Sequence, residues 1–174
     1  MIAMNEHIRY VFFDRDGVLN KDDGYVHSFA SLRWIPGARE AVGLLSKQGK
    51  ILFVVTNQSG VARGFYTEKD VRTLHQAMNE ELQTYGGQIK EFFYCPHLPG
   101  APIKRYDVLC DCRKPKPGMI QKAMSLYGIC PDEAVLIGDS KRDMEAAKAA
   151  GIGGLLFPGG NLMEFILEQG LAEQ

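Results

Sequence analysis

Short apolar runs recur along this chain at residues 10–13, 51–55, 92–94, 134–137 and 154–157, and longer stretches with helical spacing separate most of them. None of these runs alternates apolar with polar residues. Strands of that kind bury both faces, as parallel strands do when helices cover a sheet on two sides. The pattern predicts an α/β chain with an open, doubly wound, mainly parallel sheet and right-handed crossovers. In such sheets ligands bind beyond the carboxyl ends of the strands, so the residues after each run are the place to look for a site.

The clearest helical stretch opens at Thr67, with Val71, Leu74, Met78, Leu82 and Tyr85 at helical intervals, Asp70 positioned for a capping box and Gly86 as a stop. Further helices are expected over 37–48, 118–127, 141–150 and 162–168. The 174 residues suit one compact domain, 1–174, and no low-complexity tract divides it. A formal net charge of −1 gives no footprint for wrapping nucleic acid or coating an anionic membrane. Residues 1–10 lack the pattern of a signal peptide, and no apolar stretch approaches the roughly 20 residues of a membrane span. A cytosolic monomer is expected, with reduced cysteines and neither nucleic acid nor membrane as a partner.

The strand ends carry the chemistry. The first run leads into Asp14-Arg15-Asp16-Gly17, where an extended backbone would aim both carboxylates at one pocket. Taken alone, this is also what a surface Asp pair entering a turn looks like. The second run leads into Thr56-Asn57-Gln58-Ser59-Gly60, rich in hydroxyl and amide donors, and a later loop carries Arg113-Lys114-Pro115-Lys116-Pro117. The fourth run ends in Gly138-Asp139-Ser140, with Asp143 one helical turn on. Each has a bland reading as a turn, a solvated basic loop or a helix start. Jointly they deliver carboxylates, a hydroxyl and a cation to one sheet edge. Converging carboxylates repel unless a cation neutralises them, and an all-oxygen cluster suits Mg²⁺ together with a phosphate oxygen.

The segments D-R-D-G-V, V-T-N-Q, R-K-P-K-P and G-D-S-K-R-D resemble, in order, the four motifs of the haloacid dehalogenase superfamily of phosphatases. The resemblance implies a Rossmann-like sheet with a minimal cap, Asp14 as nucleophile and Asp16 as general acid and base. By the same likeness Thr56, Arg113 and Lys114 complete the catalytic set. Mg²⁺ would be held by Asp14, Asp139 and the backbone carbonyl of Asp16, with Asp143 supporting the loop or a bound water.

Cys95-Pro96-His97 and, twelve residues later, Cys110-Asp111-Cys112 offer three thiols and an imidazole, an established structural Zn²⁺ set. Buried cysteines and a strand-capping histidine are the alternative. Four protein ligands leave no open position, so the predicted zinc loop, 95–112, is structural. Cys130 is expected to be a packed thiol, and His7, Trp34 and His75 receive no role. A binding module without catalysis would be a different class of protein; the complete set Asp14, Asp16, Thr56, Lys114 and Asp139 argues against it.

Within the superfamily the zinc loop and small cap resemble the D-glycero-D-manno-heptose 1,7-bisphosphate 7-phosphatases and the histidinol-phosphate phosphatases. Residues 21–27 and 56–64 are more similar to the heptose enzymes. That likeness implies a phosphorylated sugar as substrate, surrounded by Asp22, Asp23, Gly24, Tyr25, Thr56, Asn57, Gln58, Ser59, Arg113, Lys114 and Ser140. Two departures from the pattern are Val18, where threonine is frequent, and Ser140, where some relatives carry a basic residue.

Overall fold

The computed structural model describes residues 5–174. Its elements run β1 (Tyr10–Phe13), α1 (Ala38–Lys47), β2 (Ile51–Asn57), α2 (Glu68–Thr84), β3 (Glu91–Cys95), α3 (Gly118–Tyr127), β4 (Ala134–Gly138), α4 (Lys141–Ala150), β5 (Gly153–Leu156) and α5 (Leu162–Glu168). The strands form one sheet in the order β3-β2-β1-β4-β5, and every pairing is parallel. Among the described residues no helix is long and apolar enough to cross a membrane.

Alternation along the central strands explains why they read as continuous apolar runs. Val11, Phe13, Leu52, Val54, Val135 and Ile137 face one way, into a layer made by α1, α2 and α5 through Ala41, Leu45, Leu74, Met78, Leu82 and Ile166. Phe12, Phe53, Val55 and Leu136 face the other way, against Ile120 and Ala123 of α3 and Ala146 and Ala147 of α4. Phe12 and Phe53 stack at 5.0 Å between centroids, and each fully buried aromatic of this kind contributes about 1.5–3 kcal/mol.

The helix starting at Thr67 forms as expected. Thr67 Oγ1 accepts from Asp70 N at 3.1 Å, and Asp70 Oδ2 accepts from Thr67 N at 2.9 Å, so two orphan donors of the first turn are satisfied. Strand ends differ from the sequence reading by a residue or two, and β2 runs on through Thr56 and Asn57. Two expectations need correction. The last strand is not buried: as a sheet edge it pairs with β4 alone, and Leu156 is exposed. Cys130 is exposed rather than packed, because it caps a short 3-10 turn at the surface, Pro131–Glu133.

The chain reverses its direction across the sheet between β1 and β4, the switch point at which a doubly wound sheet opens its ligand crevice. Phe13 lies level with Val54 on one side and Ile137 on the other. The residues that follow these strands are therefore brought side by side at one rim. Asp14 N continues the ladder by donating to Ile137 O at 3.0 Å.

Candidate active site

Asp14, Asp139 and Asp143 meet at this rim, each offering a carboxylate oxygen within 4.8 Å of the others. Lys114, only 3% exposed, reaches in from the loop before α3. Its Nζ lies 2.9 Å from Asp14 Oδ1 and 2.6 Å from Asp143 Oδ1, and donates to Val55 O at 2.9 Å. Burial raises the Asp14 pKa to about 7; Lys114 opposes the shift, while Asp143 and Asp139 add to it. Burial also raises that of Asp139, reinforced by the charge of Asp143. A single ammonium leaves this acidic cluster short of positive charge, the condition that favours binding of a divalent cation.

Hydrogen bonding divides the carboxylates by task. Asp143 Oδ2 accepts from Asp139 N, Ser140 N and Ser140 Oγ at 3.2, 3.2 and 2.9 Å, and its Oδ1 holds Lys114. Both oxygens are committed, so Asp143 is an anchor for the loop and the lysine. Asp14 Oδ1 is taken by Lys114 and by Arg15 N at 2.8 Å, which leaves Oδ2 for chemistry. A Cβ at Gly17 would lie 2.0 Å from Asp139 Oδ2, so only glycine, here at φ +89°, lets that carboxylate approach. No hydrogen bond among the described residues ends on the Asp16 carbonyl. The donor set of Asp14, Asp139 and the Asp16 carbonyl therefore fits a hard, oxygen-seeking cation.

Asp16 is held by one oxygen. Its Oδ1 accepts from Arg15 Nε and Nη2 at 3.2 and 2.9 Å and from Asn20 Nδ2 at 2.9 Å. Among the described residues its Oδ2 accepts only from Gln58 Nε2, at 3.1 Å. Arg15 has no exposed surface; its Nη2 donates to Val26 O at 2.7 Å and its Nη1 lies 3.2 Å from His75 Nε2. Burial, with the neighbouring Arg15 charge, holds the His75 pKa well below its ordinary value. A guanidinium can only donate, so His75 Nε2 is the acceptor of a hydrogen bond from Arg15 Nη1.

The cavity over this rim has a volume of about 430 Å³. It brings together Asp14, Asp16, Asp22, Gly24, Tyr25, Asn57, Gln58, Ser59, Arg113, Lys114, Asp139 and Ser140 from the expected set. Asp23 and Thr56 are not on its wall. The Asp23 carboxylate is gripped by Arg33, whose Nε donates to it at 2.8 Å. Thr56 is buried, and its hydroxyl accepts from Gln58 Nε2 at 2.9 Å; it supports the glutamine that touches Asp16 rather than facing the cavity.

Arg63, Tyr66 and Arg142 line the cavity without having been foreseen. Tyr66 donates to Gln58 Oε1 at 2.6 Å, so it fixes which way that amide points. Arg63 sits over the Tyr25 ring at 5.7 Å, and Tyr25 itself has a positive φ of 53°. That backbone strain at a cavity rim is typical of sites where geometry matters more than stability. Arg113 presents a buried Nη1 with no hydrogen-bond partner. An unsatisfied guanidinium nitrogen beside a polar cavity is a ready anchor for an anion.

A second cluster lies at the end of β3, where Cys95, His97, Cys110 and Cys112 place ligand atoms within 4.8 Å of one another. His97 Nδ1 is 3.4 Å from Cys112 Sγ and 3.6 Å from Cys95 Sγ, and Cys95 Sγ is 3.5 Å from Cys110 Sγ. Hydrogen bonding from Cys95 lowers the Cys112 pKa, and the same contact raises that of Cys95. Three soft sulfurs and one imidazole, closed on themselves, fit a tetrahedral Zn²⁺. The residues that follow Cys112 are Arg113 and Lys114, so this loop carries the cations of the other site.

Residues 11–90 match the family model described as haloacid dehalogenase-like hydrolase, and residues 111–169 match a second, described as HAD-hydrolase-like. The chain belongs to the haloacid dehalogenase-like hydrolases and is a phosphatase of that family. Among its relatives is the D-glycero-beta-D-manno-heptose-1,7-bisphosphate 7-phosphatase of Rhodopseudomonas palustris, 45% identical over 155 residues, 89% of this chain and 86% of that protein. The protein of the same name from Vibrio cholerae is 44% identical over 143 residues, 82% of this chain and 77% of the other. The crystal structure of D,D-heptose 1,7-bisphosphate phosphatase from B. bronchiseptica, complexed with magnesium and phosphate, superposes with a TM-score of 0.79 at 34% identity, covering 95% of this chain and 89% of that one.

Proposed function

We propose that this chain hydrolyses the 7-phosphate of D-glycero-D-manno-heptose 1,7-bisphosphate through an aspartyl-phosphate on Asp14. The observation that carries the phosphatase chemistry is the placement of Asp14. It sits at the β1/β4 switch point with Lys114 and Asp139, one oxygen pinned by Lys114 and Arg15 N, and shares the cavity wall with Asp16. The sugar bisphosphate is supported by the relatives' names and by three guanidinium groups, Arg63, Arg113 and Arg142, around one polar cavity.

Asp14 Oδ2 would attack phosphorus, forming a new P–O bond as the bond to the sugar oxygen breaks. Asp16 Oδ2 gives its proton to that leaving oxygen. In the second half Asp16 takes a proton from water, whose oxygen displaces Asp14 from phosphorus; this frees the Asp14 carboxylate and returns Asp16 to its protonated form. Lys114 holds Asp14 in line and offsets charge on the phosphoryl oxygens. Thr56 and Tyr66 act through Gln58, keeping its amide on Asp16.

Mg²⁺ would be held by Asp14, Asp139 and the Asp16 carbonyl, and when bound it neutralises phosphoryl charge. Zn²⁺ would be held by Cys95, His97, Cys110 and Cys112 and would fix the loop bearing Arg113 and Lys114. We treat residues 1–174 as a single phosphatase domain that acts as a cytoplasmic monomer, with the zinc loop as part of it.

Phosphate release from heptose 1,7-bisphosphate and from histidinol phosphate, each with and without Mg²⁺, tests the reading. Heptose bisphosphate should turn over faster by at least about tenfold, since leaving one buried polar group of the site unpaired costs about 1–3 kcal/mol. Equal or better turnover of histidinol phosphate would refute the substrate and leave the phosphatase intact.

A further inference from the structure

We propose that His75 is a positioning residue for Asp16, acting through the buried guanidinium of Arg15. The inference rests on the reading of Asp16 as general acid and base, and extends the site to a helix that does not touch the cavity.

Arg15 is a charge with no exposed surface, so its donors must end on acceptors inside the protein. Nε and Nη2 grip Asp16 Oδ1, Nη2 also meets the Val26 carbonyl, and Nη1 ends on His75 Nε2. His75 is thus a side-chain acceptor that faces Arg15 from the side opposite Asp16. It lies in the middle of α2, 4% exposed, with its ring stacked on Phe92 of β3 at 4.4 Å and 16°. The stack fixes the plane of the imidazole and therefore the direction of its lone pair.

That direction aims the guanidinium plane, and two of its nitrogens set the rotamer of Asp16. His75 also lines a shallow surface cleft with Gln76, Asn79, Glu80 and Gln83. A proton on Nδ1 can be satisfied there, leaving Nε2 as the acceptor. The low proton affinity of the buried ring keeps that lone pair available.

Without the acceptor, Arg15 Nη1 would be buried and unpaired. The guanidinium would then turn toward another partner at the expense of its contacts with Asp16. Neither Asp14 nor Lys114 has a hydrogen bond to the side chain of Arg15 or His75. The loss should therefore fall on proton transfer to the leaving group, and not on substrate binding.

The test compares a sugar phosphate, whose alkoxide leaving group needs a proton, with p-nitrophenyl phosphate, whose leaving group does not. The rate constant kcat/KM is measured for the wild type, Asp16→Asn, His75→Phe and His75→Gln, with thermal unfolding of each. His75→Phe keeps a ring on Phe92 and removes the acceptor; His75→Leu carries the same expectation if phenylalanine does not pack. His75→Gln replaces Nε2 with an amide oxygen at the same reach.

His75→Phe should lower kcat/KM for the sugar phosphate by roughly tenfold, a fraction of the full acid–base effect, and for the aryl phosphate by less than about twofold. KM should stay constant, and His75→Gln should recover most of the loss. Equal losses on both substrates, or a glutamine variant no better than phenylalanine, overturns the proposal. If Asp16→Asn itself fails to discriminate between the leaving groups, the reading of Asp16 falls first and takes the role of His75 with it.

Discussion

Replacement of Gly17 by alanine tests whether the approach of Asp139 controls the metal-binding geometry. At φ +89° an L-residue pays about 1–2 kcal/mol for the left-handed backbone wherever it stands. At Gly17 the new methyl also falls 2.0 Å from Asp139 Oδ2 and 2.7 Å from its Cγ, so the carboxylate must retreat by roughly 1.4 Å to regain van der Waals distance. A displacement of about 1 Å in a reacting constellation costs on the order of a hundredfold in rate. Gly49 supplies the control: its φ is +84°, yet nothing lies within 4 Å of the added methyl. Each variant should lose about 2–4 °C in melting temperature for every 1 kcal/mol of shared backbone cost. Phosphate release titrated with Mg²⁺ should then separate them. Gly17→Ala should need more Mg²⁺ and run about a hundredfold slower at saturation, while Gly49→Ala follows the wild type. If the two variants share one Mg²⁺ dependence and one rate, Asp139 does not sit where the cation requires it.

Lys114→Met should destabilise the metal-free protein by about 3–5 kcal/mol in denaturant unfolding, because Asp14 and Asp143 lose the one cation buried between them. Cys112→Ser should abolish bound zinc and make residues 95–112 sensitive to limited proteolysis; an unchanged digestion pattern in verified zinc-free protein would count against a metal-held loop. His75 should also appear in the pH dependence of stability. Its pKa is depressed in the fold, so the unfolded chain binds the proton more readily, and stability is full above about pH 6.5 and declines as pH falls below it. His75→Gln should therefore flatten the fall of the denaturation midpoint as pH drops below about 6.5, and an equally steep fall in that variant would exclude His75 as its cause.

The sheet and its rim were legible because their signals are local and periodic. Apolar runs named the strands, Thr67 and Asp70 named a helix start, and carboxylates directly after strands named the site. What stayed hidden depends on pairs far apart in sequence. Asp23 is engaged by Arg33, ten residues on, and no spacing rule announces that pairing. Thr56 is withheld from the cavity because Tyr66 fixes Gln58 and Gln58 in turn takes the hydroxyl. Arg63 was within reach, since it lies in the segment 56–64 singled out for its likeness to the heptose enzymes. Arg142 stands two residues after Ser140 on the first turn of α4, where a helix start placed at the rim already exposes a side chain to the cavity. His75 could not have been found from its helix, where it reads as one more residue beside an apolar stripe; its partner Arg15 is sixty residues away.

Because β1 is flanked by β2 on one side and β4 on the other, the two halves of the catalytic rim are synthesised far apart in time. A nascent chain can pair β1, β2 and β3 and still leave one edge of β1 bare until residues 134–138 emerge. A nascent chain that ends before Asp139 lacks part of the carboxylate cluster and therefore cannot carry phosphate chemistry. Until then the bare edge is open to mispairing, and the strand that closes it leads directly into Asp139.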